Sequence, residues 1–211
     1  NWAMRIPFVG SLIRGPARAY ITFLNLARYH MATDMADKWA RLYKKMGFVA
    51  TDNDYSEMAH LINTSTGRGD LKWLGVDVNR YGGVLSTMLF APRLVVAHLQ
   101  WPYRIFSSSR EVRIEAFKQM ATFLGVGASI LGLAKLTGQG EVELDPRSAD
   151  FGKLRIGQTR IDVWTGYTQF IRLIAQMTVG QRKTEGGYIQ DVSRFDVLSR
   201  FGQSKLSPAV G

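Results

Sequence analysis

Glu141–Trp164, EVELDPRSADFGKLRIGQTRIDVW, is the one segment of this 211-residue chain that reads clearly as β within an otherwise helical sequence. Leu154, Ile156, Ile161 and Val163 alternate with polar residues, and Gly157-Gln158 supplies a two-residue turn whose first position tolerates positive φ. Pairing Ile156 with Thr159 sets Leu154 opposite Ile161 on one face. The other face then carries Arg155 opposite Arg160, and Lys153 opposite Asp162. Two arginines placed cross-strand repel unless an anion lies beside them. Asp145 and Asp150 are the nearest candidates. The segment is either a self-neutralised structural device or a small anion-facing ribbon, and the closeness of Asp145, Asp150 and Asp162 favours the first.

Outward from this ribbon the periodicity turns helical. From about Ala17 to Met46, apolar residues such as Tyr20, Phe23, Met31, Met35, Trp39 and Leu42 recur every three or four positions. Ile6–Gly10 and Arg14–Pro16 read as punctuation before that helix, and Gly47 ends it. Thr51–Asp54 offers N-caps for a second helix through Met58, Leu61 and Ile62, which stops at Thr66–Gly69. A third helix is expected from Val78 or Gly83 to Phe106, interrupted by Pro92 and again at Trp101-Pro102. Ser107–Ser109 caps a fourth, from Arg110 to about Leu136. Beyond the ribbon a fifth runs from Thr165 to Val179 and is closed by Gly180; after a loop at Lys183–Gly187, a short sixth lies around Phe195–Phe201. The expected fold class is mainly α (α+β), with five to six helices and one small β-hairpin near residues 141–164. The regions are 1–140, helical; 141–164, the hairpin; and 165–211, a C-terminal helical part, together one domain of a longer polypeptide.

The charge balance is one-sided. Lys plus Arg is 27 and Asp plus Glu 17, a formal charge of +10, which suits a polyanionic partner or a solvated basic surface. The absence of cysteine excludes disulfide scaffolds, cysteine zinc sites and a thiol nucleophile. His30, His60 and His98 stand too far apart in sequence to suggest a metal cluster. No cofactor motif is present: Thr64–Gly69 lacks the GK[ST] of a phosphate-binding loop and reads as a helix-ending turn.

Gln119–Ala134 is a run of 16 residues without a charge, rich in Gly125, Gly127, Ala128, Ser129 and Gly132. At the helical rise it extends about 24 Å, short of the roughly 30 Å of a hydrocarbon core. It reads first as a buried core helix and second as a membrane-inserting segment with Lys118 and Lys135 at its ends. The spacings Gly125/Ser129 and Ala128/Gly132 permit close helix approach in either setting. Asp145 and Asp150 sit among Arg147, Lys153 and Arg155, which would hold them ionised and suit ion pairing better than proton transfer. No nucleophile–base–orienter set can be assembled. Basic residues with aromatics nearby occur at Arg93, Trp101, Tyr103, Arg104, Arg110 and Arg113, and basic residues recur at Arg172, Arg182, Lys183, Arg194, Arg200 and Lys205. The most they support is phosphate-backbone contact without sequence readout.

Four blocks together carry a resemblance. They are Ile6–Gly10 with Ala19–Asn25, Ile62–Gly69, Leu89–Arg93 with Gln100, and Glu143–Lys153 with Gly157–Asp162. In order and spacing the chain resembles a large polyvalent protein-associated domain of tailed bacteriophages, over nearly its whole length. The most specific part is Asp145-Pro-Arg-Ser148 followed by Asp150-Phe-Gly-Lys153. The resemblance implies a non-enzymatic module of an internal virion protein, carried in the particle and delivered with the genome to the host envelope or cytoplasm. It implies partners among copies of the chain and virion proteins of the portal and tail lumen. It transfers no catalytic residue. Ala91, Pro92 and Arg93, with the Asp145–Lys153 block, match most sharply and are expected in assembly or packing.

Overall fold

The computed structural model describes residues 7–75, 77, 81, 91–184 and 186–206. Its helices are α1 (Pro7–Met46), α2 (Asp52–Ser65), α3 (Pro92–Tyr103), α4 (Arg110–Leu136), α5 (Thr168–Val179) and α6 (Arg194–Gln203). Short strands form a three-stranded antiparallel sheet of β1 (Glu141–Val142), β2 (Leu154–Ile156) and β3 (Thr159–Ile161), and a hairpin of β4 (Gln181–Lys183) and β5 (Ile189–Asp191). The fold is mainly helical, as expected. The chain gathers into two compact units: 1–75 with 93–117, and 76–92 with 118–211.

In the first unit, pairs of apolar residues one helical turn apart build the core. Met35 and Trp39 come from α1, Met58, Leu61 and Ile62 from α2, Val96, Ala97 and Trp101 from α3, and Val112 and Ala116 from the first turns of α4. α1 runs through the expected punctuation, with Pro16 inside it. Proline removes one backbone donor but keeps a helical φ, so flanking residues that favour helix carry the chain across. Among the described side chains of α1, the buried apolar ones, Met35 and Trp39, lie in its second half; Tyr20, Ile21, Phe23, Leu26 and Tyr29 remain exposed.

Local chemistry fixes the other boundaries. Thr51 and Asp54 exchange hydrogen bonds in a capping box at the start of α2. Pro92 opens α3, and Ala91 before it takes a left-handed φ of 48°; most of the expected helix upstream, between residues 78 and 90, lies outside the described residues. Pro102 sits in the last turn of α3, which passes into a 3-10 turn at Arg104–Phe106. Thr64–Gly69 is the expected helix-ending turn. There Gly69 donates to the Arg93 carbonyl at 3.0 Å. The buried Gln100 amide clasps the Asp70 peptide, with both bonds at 2.9 Å.

In the second unit, β2 and β3 pair in the expected register, Leu154 with Ile161, Arg155 with Arg160 and Ile156 with Thr159, and Gly157 takes φ 58° in the turn. α5 begins three residues later than the expected Thr165. The Asp162 carboxylate accepts the N–H groups of Trp164 and Gly166, and Thr165 adopts φ 49°, so the chain turns before it can coil. The β4–β5 hairpin flanks the expected loop at Lys183–Gly187 and was not itself expected. Its strands are QRK and IQD, without the apolar alternation that would announce them.

The far end of α4 departs from the core-helix expectation. Gly127 and Leu131 are buried, and Gly127 lies so close to Trp164 that a β-carbon would come within 2.4 Å of the indole. The remaining faces are open, with Phe117 67%, Leu124 52%, Leu133 62% and Leu136 85% exposed. One stripe of α4 is enough to cover Trp164, and these other side chains stay exposed.

Gly69 supplies a direct test of the first unit. An added β-carbon there would lie 2.4 Å from the Ala97 nitrogen and 2.5 Å from the Arg93 oxygen. Gly69→Ala is expected to lower stability by about 2–3 kcal/mol, whereas Gly132→Ala, facing open space in α4, is expected to gain about 0.5–1 kcal/mol through helix propensity; urea denaturation of both variants checks the contrast.

Candidate functional site

The Asp145–Asp162 block lies in the second unit, and its geometry follows from one tight turn. Pro146 and Arg147 are the corner residues, and Ser148 donates its N–H to the Asp145 carbonyl at 3.0 Å. Proline suits the first corner position because its fixed φ matches that turn. The turn folds Arg147 back onto Asp145. Nε reaches Oδ1 at 3.0 Å, a terminal nitrogen reaches Oδ2 at 2.9 Å, and the Arg147 N–H adds a third bond at 2.9 Å. The other terminal nitrogen donates to Gln181 Oε1 at 3.0 Å. Ser148 is buried, and its hydroxyl accepts the Asp150 N–H at 3.2 Å.

The turn also docks its surroundings. The Arg147 carbonyl accepts from Gln176 Nε2 of α5 at 3.0 Å and from the Lys183 N–H of β4 at 3.1 Å. Glu143 binds Lys183 Nζ at 2.5 Å and accepts the Asp145 N–H at 3.0 Å. Trp164 donates its indole N–H to the Gly152 carbonyl at 2.8 Å. Gly152 takes φ 68°, and a β-carbon there would press on the indole at 2.9 Å.

A cleft of about 410 Å³ opens beside this turn, with cations from Lys153, Arg155, Arg160 and Lys183 facing Glu141, Glu143 and Asp150. Each cation has a carboxylate within reach. Asp150 holds Arg160 at 2.7 Å and Lys153 at 3.4 Å, and Glu141 stands 4.0 Å from Arg155. The cross-strand arginines are thus neutralised by Asp150 and Glu141. Asp145, expected beside them, is committed to Arg147, and Asp162, expected opposite Lys153, caps the turn before α5. The Arg155–Glu141 pair is long and exposed and contributes about 0–0.5 kcal/mol. Glu141 and Lys183 were not legible as partners of the block. The Lys183–Glu143 bond joins positions 40 apart, and no local spacing signals it.

The electrostatics follow the bonding. The Arg147 guanidinium and N–H hold the Asp145 carboxyl below its usual range, and Lys183 with the Asp145 N–H does the same for Glu143. Carboxylates held ionised in this way serve as acceptors and make poor proton donors near neutral pH. Among the described residues, no group of three His, Asp or Glu side chains is arranged to hold a metal ion.

The other sequence candidates lie elsewhere. Ala91 and Pro92 set the start of α3, and Arg93 contributes its carbonyl to Gly69. Of the first basic set, Trp101 is buried, Arg104 pairs with Glu57 at 3.4 Å and Arg113 donates to the Ser107 carbonyl, so these three support the first unit. Along α4, Gly125, Ser129 and Gly132 are exposed, and Gln119 and Ala134 are half-buried. Comparison of the chain with family models, curated proteins and solved structures finds no match.

Because Glu143 and Asp145 have lowered folded-state pKa values, the stability they contribute is fully present above the unfolded carboxylate value of about 4 and is lost as pH falls through the folded values. Asp145→Asn is expected to cost about 1.5 kcal/mol at neutral pH and to flatten the acid limb of the stability profile, read by denaturant melts from neutral to acid pH.

Proposed function

We propose that this chain is a non-enzymatic structural and interaction module of a tailed-bacteriophage internal virion protein, delivered with the genome, and that it works by packing α4 against copies of itself. The observation that carries this reading is the uncovered apolar surface of α4. Phe117, Leu124, Val126, Ile130, Leu133 and Leu136 are all exposed along one helix, and a surface of that kind marks an interaction site. Gly125 and Gly132 lie on it with nothing of their own chain within 4 Å. Ser129, one turn beyond Gly125, turns its hydroxyl back onto the Gly125 carbonyl at 2.8 Å. A small–xxx–small face that is open on its own chain lets the backbone of a second helix approach closely. Identical helices present identical faces, so the contact is self-complementary and suits a homo-oligomer. The setting among virion proteins of the portal and tail lumen rests on the sequence resemblance, and the charge of +10 suits a protein stored beside packaged DNA.

Insertion of α4 into the host membrane is the second reading. Among the described residues α4 is the one helix long and apolar enough to cross a bilayer, by length and composition. The uncharged stretch is nevertheless about 24 Å long, and this shortfall favours a protein partner over lipid.

Purified chain is expected to self-associate in sedimentation velocity. Gly125→Leu combined with Gly132→Leu is expected to abolish that association while the circular dichroism spectrum of the protomer is kept and its melting midpoint is not lowered. A wild-type chain that stays monomeric at all concentrations, or a double variant that assembles as before, would exclude the self-packing model. Flotation of wild-type chain with phosphatidylglycerol vesicles would transfer preference to the membrane reading.

A further inference from the structure

A second concavity, of about 290 Å³, opens between α5, β4 and α6. Its charged lining has one sign: Arg147, Arg172, Arg182, Lys183 and Arg200, with no Asp or Glu among the described residues. Two of these cations are already committed, Arg147 to Asp145 and Lys183 to Glu143. The other three come from three different elements, Arg172 from α5, Arg182 from β4 and Arg200 from α6. None has a carboxylate within 4.0 Å among the described residues.

Two donors in this group are both shielded and idle. The Nε–H groups of Arg172 and Arg182 are closed off from solvent and meet no acceptor. Arg182 has a terminal nitrogen on the Gln190 amide oxygen at 3.1 Å, a neutral partner that leaves the charge uncompensated. Shielded donors without acceptors are rare in folded proteins, and guanidinium groups gathered without an acid repel one another. Burial lowers the Arg172 pKa, and Asp150, itself bound to Lys153 and Arg160, opposes this only from a distance. An arginine keeps its proton even so, and the positive charge stays in the pocket.

One ligand chemistry answers the uncompensated charge. A tetrahedral oxyanion offers oxygens that accept paired bonds from guanidinium planes, and its charge offsets theirs. The neighbouring ribbon cleft is the internal contrast, since each of its cations meets a carboxylate of the chain itself. The volume sits at the lower end of small-ligand sites, about 300 Å³, and Leu173 and Phe201 give the pocket an apolar wall. We propose that this pocket binds a phosphate group, with Arg172 and Arg182 as the inner donors and Arg200 closing on it from the exposed rim. The source is either a small phosphate-bearing molecule or the backbone of a nucleic acid. The pocket's chemistry is independent of whether α4 self-associates.

Titration of the full chain with inorganic phosphate, followed by calorimetry and amide NMR, is expected to give saturable shifts in β4 and in the facing turns of α5 and α6. Arg172→Gln and Arg200→Gln are each expected to weaken binding about tenfold, the loss that goes with one charge-assisted hydrogen bond. Arg194→Gln, on the same helix as Arg200 but outside the pocket lining, is expected to leave it unchanged. Arg200 is exposed, so its variant retains the fold and decides the matter if Arg172→Gln is unstable. A short DNA duplex forms the second arm. Duplex binding that inorganic phosphate displaces, and that Arg200→Gln weakens, identifies the nucleic-acid backbone as the source; phosphate binding without duplex binding identifies a small phosphate. Absence of saturable phosphate shifts at the pocket, or binding that survives the arginine substitutions, overturns the proposal.

Discussion

The Arg147 residue is where the parts of the second unit meet. Its guanidinium is folded onto Asp145 by the turn through Pro146, and its carbonyl then receives one donor from α5 and one from β4. A side-chain ion pair by itself contributes little at a surface. Here the pair fixes a peptide whose carbonyl would otherwise have to be desolvated without partners when α5 and β4 close over it. The ribbon, the helix and the second hairpin are thus registered to one another through a single residue, and Glu143 repeats the connection through Lys183.

Once that network is made, the second unit has spent its nearest acids. Asp145, Glu143, Asp150 and Glu141 serve Arg147, Lys183, Lys153 with Arg160, and Arg155. Within the second unit, the arginines of α5, β4 and α6 are therefore left without a carboxylate within 4.0 Å among the described residues. A basic composition spread over solvated side chains would leave no such trace. Shielded guanidinium nitrogens do, because a donor taken out of water without an acceptor is costly.

The apolar surface follows a parallel logic. Trp164 is packed by Phe123 at 5.9 Å and by the backbone of Gly127, and Phe123 also meets Tyr167 at 5.5 Å. These contacts use one stripe of α4 and leave Leu124, Val126, Ile130 and Leu133 exposed. The same division occurs along α1, whose second half enters a core while Tyr20, Phe23 and Tyr29 stay outside it. Helical periodicity records that a face is apolar; it does not record whether the chain itself, another copy or a bilayer covers it.

The sequence by itself determined what depends on neighbours along the chain. The β2–β3 register follows from strict alternation around Gly157-Gln158, the start of α2 from its capping residues, and the end of α5 from Gly180. In the candidate site, the proximity of acids to the arginines was legible for the same reason. The β4–β5 hairpin was not, because QRK and IQD carry no periodic signal and take their pairing from the docking of Lys183 on Arg147. Only the tertiary structure decided which acid serves which base, which face of α4 is spent on Trp164, and that Arg172, Arg182 and Arg200 share one pocket. Hydrogen-bond geometry and burial act through space between residues tens of positions apart, and no local pattern of residue types encodes that distance.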